Sequence, residues 1–193
     1  MIERSLVLLK PDSIVRGVTG EILHRFERTG LKIVGMKMVQ PDKEFIKQHY
    51  LTTDENLTAI GEKTLADCAE QGIDPKVSMG SDDPVVIGRQ IWEWSVEFLN
   101  SGPVIALVFE GPSAVSNIRA LVGHTLPSKA APGTIRGDFA LDTAVGANKR
   151  RRSIYNLVHA SGNVEEAERE VNLWFKPEEL FSYKRLHEDY YKY

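Results

Sequence analysis

At 193 residues, with 42% hydrophobic and 26% charged residues, the chain has the make-up of one globular domain, or of one domain carrying a modest insertion. Its formal net charge of −3 offers no overall attraction to nucleic acid or an anionic membrane, so an anion site has to be assembled locally. A single cysteine, Cys68, excludes an internal disulfide. No apolar run approaches the roughly 20 residues that span a bilayer, and residues 6–9 are too short for a signal peptide, so a cytoplasmic location is expected.

Residues 5–9 read as a buried strand ended by Lys10-Pro11. Asp12 or Ser13 can cap a helix whose stripe is Ile14, Val18, Ile22 and Phe26, with Gly30 as its stop. Residues 31–40 alternate as a second strand, and Pro41-Asp42 opens a helix through Phe45, Ile46 and Tyr50. Residues 51–89 are rich in Asp, Glu, Gly and Ser; a helix over 57–71 and a loop over 79–84 suggest an inserted helical lobe or lid. A helical pattern resumes at 91–99, followed by a strongly apolar strand at 103–109. Pro112 fits a first helical position, with Val115, Ile118, Leu121 and Val122 on the helix that follows. Residues 124–137 are loop-like and 139–141 suit a brief strand. Residues 142–153 form a second, basic insertion and 154–159 a further strand. Asn163 and Glu166 have the spacing of a capping box, and Pro177 opens a last short helix. This order suits an α/β or α+β sandwich and is compatible with a split βαβ, ferredoxin-like sheet, although periodicity alone does not choose between them.

Four features carry possible chemistry. Lys10, at a strand end, can meet a phosphate as a point charge, although a lone lysine also fits a solvated role. Arg119 lies on a helix with Thr125 just beyond it. Arg136 sits between Gly133 and Gly137, where backbone can approach a ligand and a guanidinium can fork onto phosphate oxygens. His159 lies in Asn156-Leu157-Val158-His159-Ala160-Ser161, and strand alternation puts it on one face with Leu157 and opposite Asn156 and Val158. A neutral imidazole beside small residues can attack phosphorus if an acceptor fixes its other nitrogen, and Glu170 on the next helix can be that acceptor. Each feature alone has an ordinary structural reading.

In order and spacing, Lys10-Pro11-Asp12, Arg16-Gly17, Gly102-Pro103, the octapeptide PGTIRGDF at 132–139, NLVHAS at 156–161, and Leu173-Trp174-Phe175 followed by PEEL at 177–180 resemble nucleoside diphosphate kinases. The similarity covers about residues 3–50 and 90–183. It implies a ferredoxin-like antiparallel sheet covered by helices, in one domain interrupted at about 51–90 and 142–153. The implied reaction is ping-pong transfer of a γ-phosphate from ATP or another nucleoside triphosphate to a nucleoside diphosphate, through a phosphohistidine at His159. By position, Lys10 and Asn156 would contact the sugar 3′-hydroxyl region and phosphates, and Arg119, Thr125 and Arg136 the outer phosphates. Tyr50 would lie near the reacting phosphate, and Ser161 and Glu170 would support the histidine. Mg2+ would arrive on the nucleotide phosphates with no direct protein ligand. A homo-oligomer is implied, with a hexamer as the first expectation.

Three departures stand out. The family usually has Asp after the serine of the histidine motif, where this chain has Gly162, and Ala160 replaces the usual glycine. The base-stacking aromatic falls at Ile91 or Trp92, of which Trp92 would stack better. Gly162 is the one feature favouring a non-catalytic nucleotide-binding scaffold. The basic run Lys149-Arg150-Arg151-Arg152 invites a nucleic-acid or steering role, but the net negative charge and the lack of a basic stripe favour a solvated loop.

Overall fold

A computed structural model describes residues 2–186 and 189. Among them, β1 (Ile2–Leu9), β2 (Lys32–Val39), β3 (Val104–Pro112) and β4 (Val158–Ala160) form one sheet in the order β2-β3-β1-β4. Every neighbouring pair is antiparallel, and β1 pairs with β3 along its whole length, from Ile2 opposite Pro112 to Leu9 opposite Ile105. β1 and β2 therefore run parallel with β3 between them, and β3 and β4 run parallel about β1. This is the split βαβ arrangement of the ferredoxin-like expectation.

The helices are α1 (Pro11–Val15), α2 (Thr19–Glu27), α3 (Lys43–His49), α4 (Asp54–Glu70), α5 (Pro75–Met79), α6 (Pro84–Asn100), α7 (Ala114–Val122), α8 (Ile135–Phe139), α9 (Ala144–Lys149) and α10 (Val164–Trp174). They cover both faces of the sheet, so β1 is apolar without alternation. Val7, Leu9, Leu107 and Phe109 bury one face against Ile22, Phe26 and Ile118. Leu6, Leu8, Ala106 and Val108 bury the other against Ile46, Leu99, Val171 and Trp174.

Several elements differ from expectation, each for a local reason. The Ile14–Phe26 stripe is split between α1 and α2, because the turn at Gly17 takes a positive φ of 68°. Asp12 and Ser13 lie inside α1, and the N-cap is Lys10. Pro112 ends β3, and α7 starts only after Ser113, which adopts a left-handed conformation. Residues 135–139 are helical, with Thr134 accepting the Gly137 N–H as the cap, so no strand forms at 139–141. The last strand begins at Val158, because Leu157 has φ 67°. That residue breaks the alternation expected from 154, and Leu157 and Val158 are buried in the same cluster.

The expected lobe is a helical hairpin. Thr53 caps α4, Asp83 caps α6, and Pro84 occupies the first turn of α6. The two helices meet through glycines: a Cβ at Gly61 would lie 1.9 Å from Pro84 O, and one at Gly88 1.9 Å from Leu57 O. The hairpin's second helix, α6, runs on without a break and reaches the core through Val96 and Leu99. Both α4 and α5 touch α9, so the two expected insertions meet. The expected last helix is a single 3-10 turn, Pro177–Glu179.

Candidate functional site

The octapeptide folds as a clamp around Arg136. Asp138 accepts the Gly133 N–H at 2.8 Å and pairs with Arg25 at 2.7 Å, while Arg16 donates to the Phe139 carbonyl. Gly137 is required because a Cβ there would lie 2.1 Å from Ala131 O. Arg136 is buried and spends three N–H groups on main-chain carbonyls: Asn156 at 3.2 Å, Gly123 at 2.9 Å and Val158 at 2.6 Å. It joins the loop before α8 to the segment leading into β4. Burial, then the neighbouring Arg119, lowers its pKa to about 10.

Lys10 Nζ donates to Asn156 Oδ1 at 2.8 Å, and Asn156 Nδ2 donates to Thr125 O at 2.9 Å. Three separate segments are thus linked at one end of the sheet. Burial, then Arg136, brings the Lys10 ammonium down to about 8, opposed by Asp12. Asp12, expected only as a cap, accepts the Leu157 N–H at 3.0 Å and so supports the left-handed turn that leads into the histidine.

His159 stands on β4 with its side chain 16% exposed. Its Nε2 lies 3.0 Å from both Glu170 oxygens, and Ser161 Oγ donates to Glu170 Oε2 at 2.6 Å. Burial alone would raise the Glu170 pKa, but His159 and the hydroxyl outweigh it and hold the carboxyl at about 2. A carboxylate against Nε2 places the ring proton there and leaves Nδ1 as the free lone pair. His49, which sequence reasoning passed over, stacks edge-on to His159 at 4.5 Å and accepts from Trp174 Nε1 at 3.3 Å. Burial keeps it neutral, with its pKa well below the usual histidine value. Tyr50, at the end of α3, has its ring 6.5 Å from that of His159.

Beside His159 opens a cleft of about 270 Å³ lined by Lys63, Arg119, Gly123, Thr125, Arg136, Gly162 and Glu166, among others. Arg119 is exposed there. Lys63 comes from α4, a contribution to the cleft that the sequence did not signal. Ile91 and Trp92 lie on α6 and do not line this cleft; Trp92 donates its indole N–H to Tyr50 O at 3.0 Å. In the basic run, Arg152 is paired with Asp142 at 2.5 Å and stacks over Tyr155, while Arg150 and Arg151 are exposed.

His49, His159 and Glu170 hold one ligand atom each within 4.8 Å of one another. Two imidazoles do not suit Mg2+, which prefers oxygen donors, and Glu170 is already committed to His159 and Ser161. An oxygen donor facing the cleft is Glu166. The cleft therefore fits a magnesium ion that arrives on phosphates rather than one caged by the protein.

An imidazole oriented by a carboxylate and opening on a cationic cleft has the construction of a histidine phosphotransferase site. The family described as nucleoside diphosphate kinase matches residues 3–59 and 85–180. A nucleoside diphosphate kinase of Pyrobaculum aerophilum is 46% identical over 93% of this chain and 98% of its own length. Nucleoside diphosphate kinase B of Bos taurus is 37% identical over 94% and 91%. The crystal structure of an NDP kinase from P. aerophilum superposes with a TM-score of 0.90 at 44% identity, covering 94% of this chain and all of the other. A transition-state mimic of the Borrelia burgdorferi enzyme, with bound vanadate and ADP, superposes at 0.76 with 34% identity, covering 97% and 95%. The chain belongs to the nucleoside diphosphate kinase family and is a phosphotransferase acting on nucleotides. These matches do not favour the non-catalytic alternative. The unmatched stretch, residues 60–84, falls within the expected first insertion. Among the described residues, no helix is long and apolar enough to cross a membrane.

Proposed function

We propose that His159 is the phosphorylated residue, taking the γ-phosphoryl group of a nucleoside triphosphate on Nδ1 and passing it to a nucleoside diphosphate. The observation that carries this reading is the two-oxygen hold of Glu170 on Nε2, which fixes the tautomer and aims the other nitrogen's lone pair outward. In the first half-reaction Nδ1 attacks Pγ, the bond from Pγ to the bridging oxygen breaks, and the nucleoside diphosphate leaves. In the second, a terminal oxygen of another nucleoside diphosphate attacks the same phosphorus, and the N–P bond breaks. The ring is cationic while phosphorylated, and the buried Glu170 carboxylate offsets that charge in a low-dielectric site.

The remaining residues position and neutralise, which is most of what phosphoryl transfer needs. Lys10 and Asn156 serve the sugar hydroxyl and phosphates, and Arg119, Thr125 and Arg136 the outer phosphates. Arg136 does so with the N–H groups left over from its three carbonyl bonds. Tyr50 and His49 wall the histidine. Mg2+ carried on the phosphates supplies further neutralisation when bound. The base would rest beside the middle of α6, against Ile91 or Trp92.

The α4–α6 hairpin is read as a wall of the nucleotide cleft, supported by Lys63 lining it and by Lys129 tying α4 to the loop before α8 through Asp67 and Glu70. We read the protein as a cytoplasmic homo-oligomer that does not act on nucleic acid. The test of the core proposal is intact mass after incubation with ATP and magnesium. One acid-labile phosphate is expected, discharged by added GDP and absent from His159→Ala. An unmodified wild-type protein that still binds nucleotide would sink the reading.

A further inference from the structure

Glu166 and Asn163 have the spacing of a capping box, yet only half of the box forms. Asn163 Oδ1 accepts the Glu166 N–H at 2.8 Å, but the Glu166 carboxylate does not return to the Asn163 amide. It turns one residue further back and accepts the Gly162 N–H at 2.9 Å. There it occupies the space a side chain at position 162 would need: a Cβ on Gly162 would lie 2.4 Å from Glu166 Oε2 and 3.9 Å from Arg119 Nη1. The glycine and the glutamate are thus a matched pair, and the carboxylate joins His159, Arg119 and Arg136 in the cleft wall.

A carboxylate is an unexpected wall for a cleft that must admit a polyphosphate. Like charges at close range oppose binding, so an anion there costs affinity unless it meets a cation in the bound state. Arg119 is one such cation, but it would serve the phosphates better unopposed. The other is the divalent ion that the polyphosphate brings with it, whose hard character and retained waters suit a carboxylate oxygen. We propose that Glu166 is the acidic group that recognises the magnesium-loaded form of the nucleotide, reaching the cleft from the first turn of α10 through the space left open at Gly162. The inference rests on the phosphotransfer reading of the cleft and adds a residue to it.

A pure helix-capping role for Glu166 predicts something different, and Glu166→Gln separates the two. The amide oxygen can still accept the Gly162 N–H, so the cap survives while the charge is lost. The measurement is ADP affinity by calorimetry, once with magnesium chloride and once with EDTA. In the wild type, magnesium is expected to tighten ADP binding. In Glu166→Gln that gain is expected to shrink roughly tenfold or more, as when a group in a metal's outer shell is lost, with binding in EDTA unchanged or tighter. The double variant Gly162→Asp/Glu166→Ser, which moves the carboxylate onto the vacated position, should recover much of the gain. An undiminished gain in Glu166→Gln, or no recovery in the double variant, overturns the assignment. Wild-type protein that binds ADP and phosphorylates His159 under the same conditions would show that only this inference had failed, not the reading of the site.

Discussion

Lys10 shows what burial does to an ordinary side chain. Its ammonium is enclosed, hydrogen-bonded to Asn156, and lowered to about 8 from 10.5 in the free protein. A polyphosphate beside it favours the charged form, so binding raises that value again. Between about pH 8 and 10.5, nucleotide binding should therefore take up a proton, and affinity should fall as pH rises through that window. The expected outcome at pH 9 is uptake of about one proton per site, read by calorimetry of ADP binding in two buffers of different ionisation enthalpy. Uptake should be absent in Lys10→Met, and a wild type with none at pH 9 would refute the enclosed-ammonium picture. The sign for stability follows from the same shift. The folded state disfavours the ammonium fully below about pH 8, and that penalty is relieved as pH rises towards 10.5. Asp12 is the counterpart: burial raises its pKa, while Lys10 and the Leu157 N–H work the other way.

At the scale of elements, the hairpin of α4 and α6 makes the sharpest demand on sequence. Leu57 O approaches Gly88 so closely that a side chain there has to push the helices apart, and Lys63 rides on the helix that would move. Gly88→Val should cost about 1–3 kcal/mol of stability, the range for overpacking, seen as a lower melting temperature. It should raise KM for the nucleoside diphosphate more than it lowers kcat, because His159 and Glu170 sit on other elements. An unchanged KM with a lowered melting temperature would show that the hairpin does not wall the nucleotide. The strands at 5–9 and 103–109 and the cap at Asn163 were legible, because apolar runs and Asx caps act locally. So was the pairing of His159 with Glu170, because an imidazole nucleophile needs an acceptor on its other nitrogen, whereas Lys10 and Arg136 stood out only through the family motifs that contain them. The turn at Leu157 was not legible, since tertiary bonds from Arg136 and Asp12 hold it, and the helix at 135–139, though capped locally by Thr134, is only five residues long in a stretch rich in glycine and proline. Lys63 and Glu166 were hidden for a related reason: one enters the cleft only through a glycine-tight crossing, the other only because position 162 is empty.

At the scale of the whole molecule, part of the β2 edge has no neighbouring strand among the described residues. The tail covers its first half, where the Phe181 N–H reaches Val34 O and the Tyr183 hydroxyl reaches Ile33 O. Beyond that, Met36 and Met38 are 54% and 58% exposed on a strand with one neighbour. A strand edge that carries large exposed apolar side chains invites another copy unless something blocks it. A homo-oligomer joined here should therefore sediment above the monomer mass. Met38→Glu, which places a charge where a partner's strand would lie, should shift it to smaller species. The chemistry should outlast that change. Lys10, His49, Arg119, Arg136, His159 and Glu170 all come from one chain, and none lies on β2. A dissociated Met38→Glu protein should still accept phosphate from ATP on His159, with any loss appearing in thermal stability. If the variant keeps the wild-type sedimentation, the contact lies on another face. If it dissociates and loses phosphorylation while still folded, assembly itself shapes the cleft, and its route there would be through the neighbouring strand β3 into β1, whose end carries Lys10.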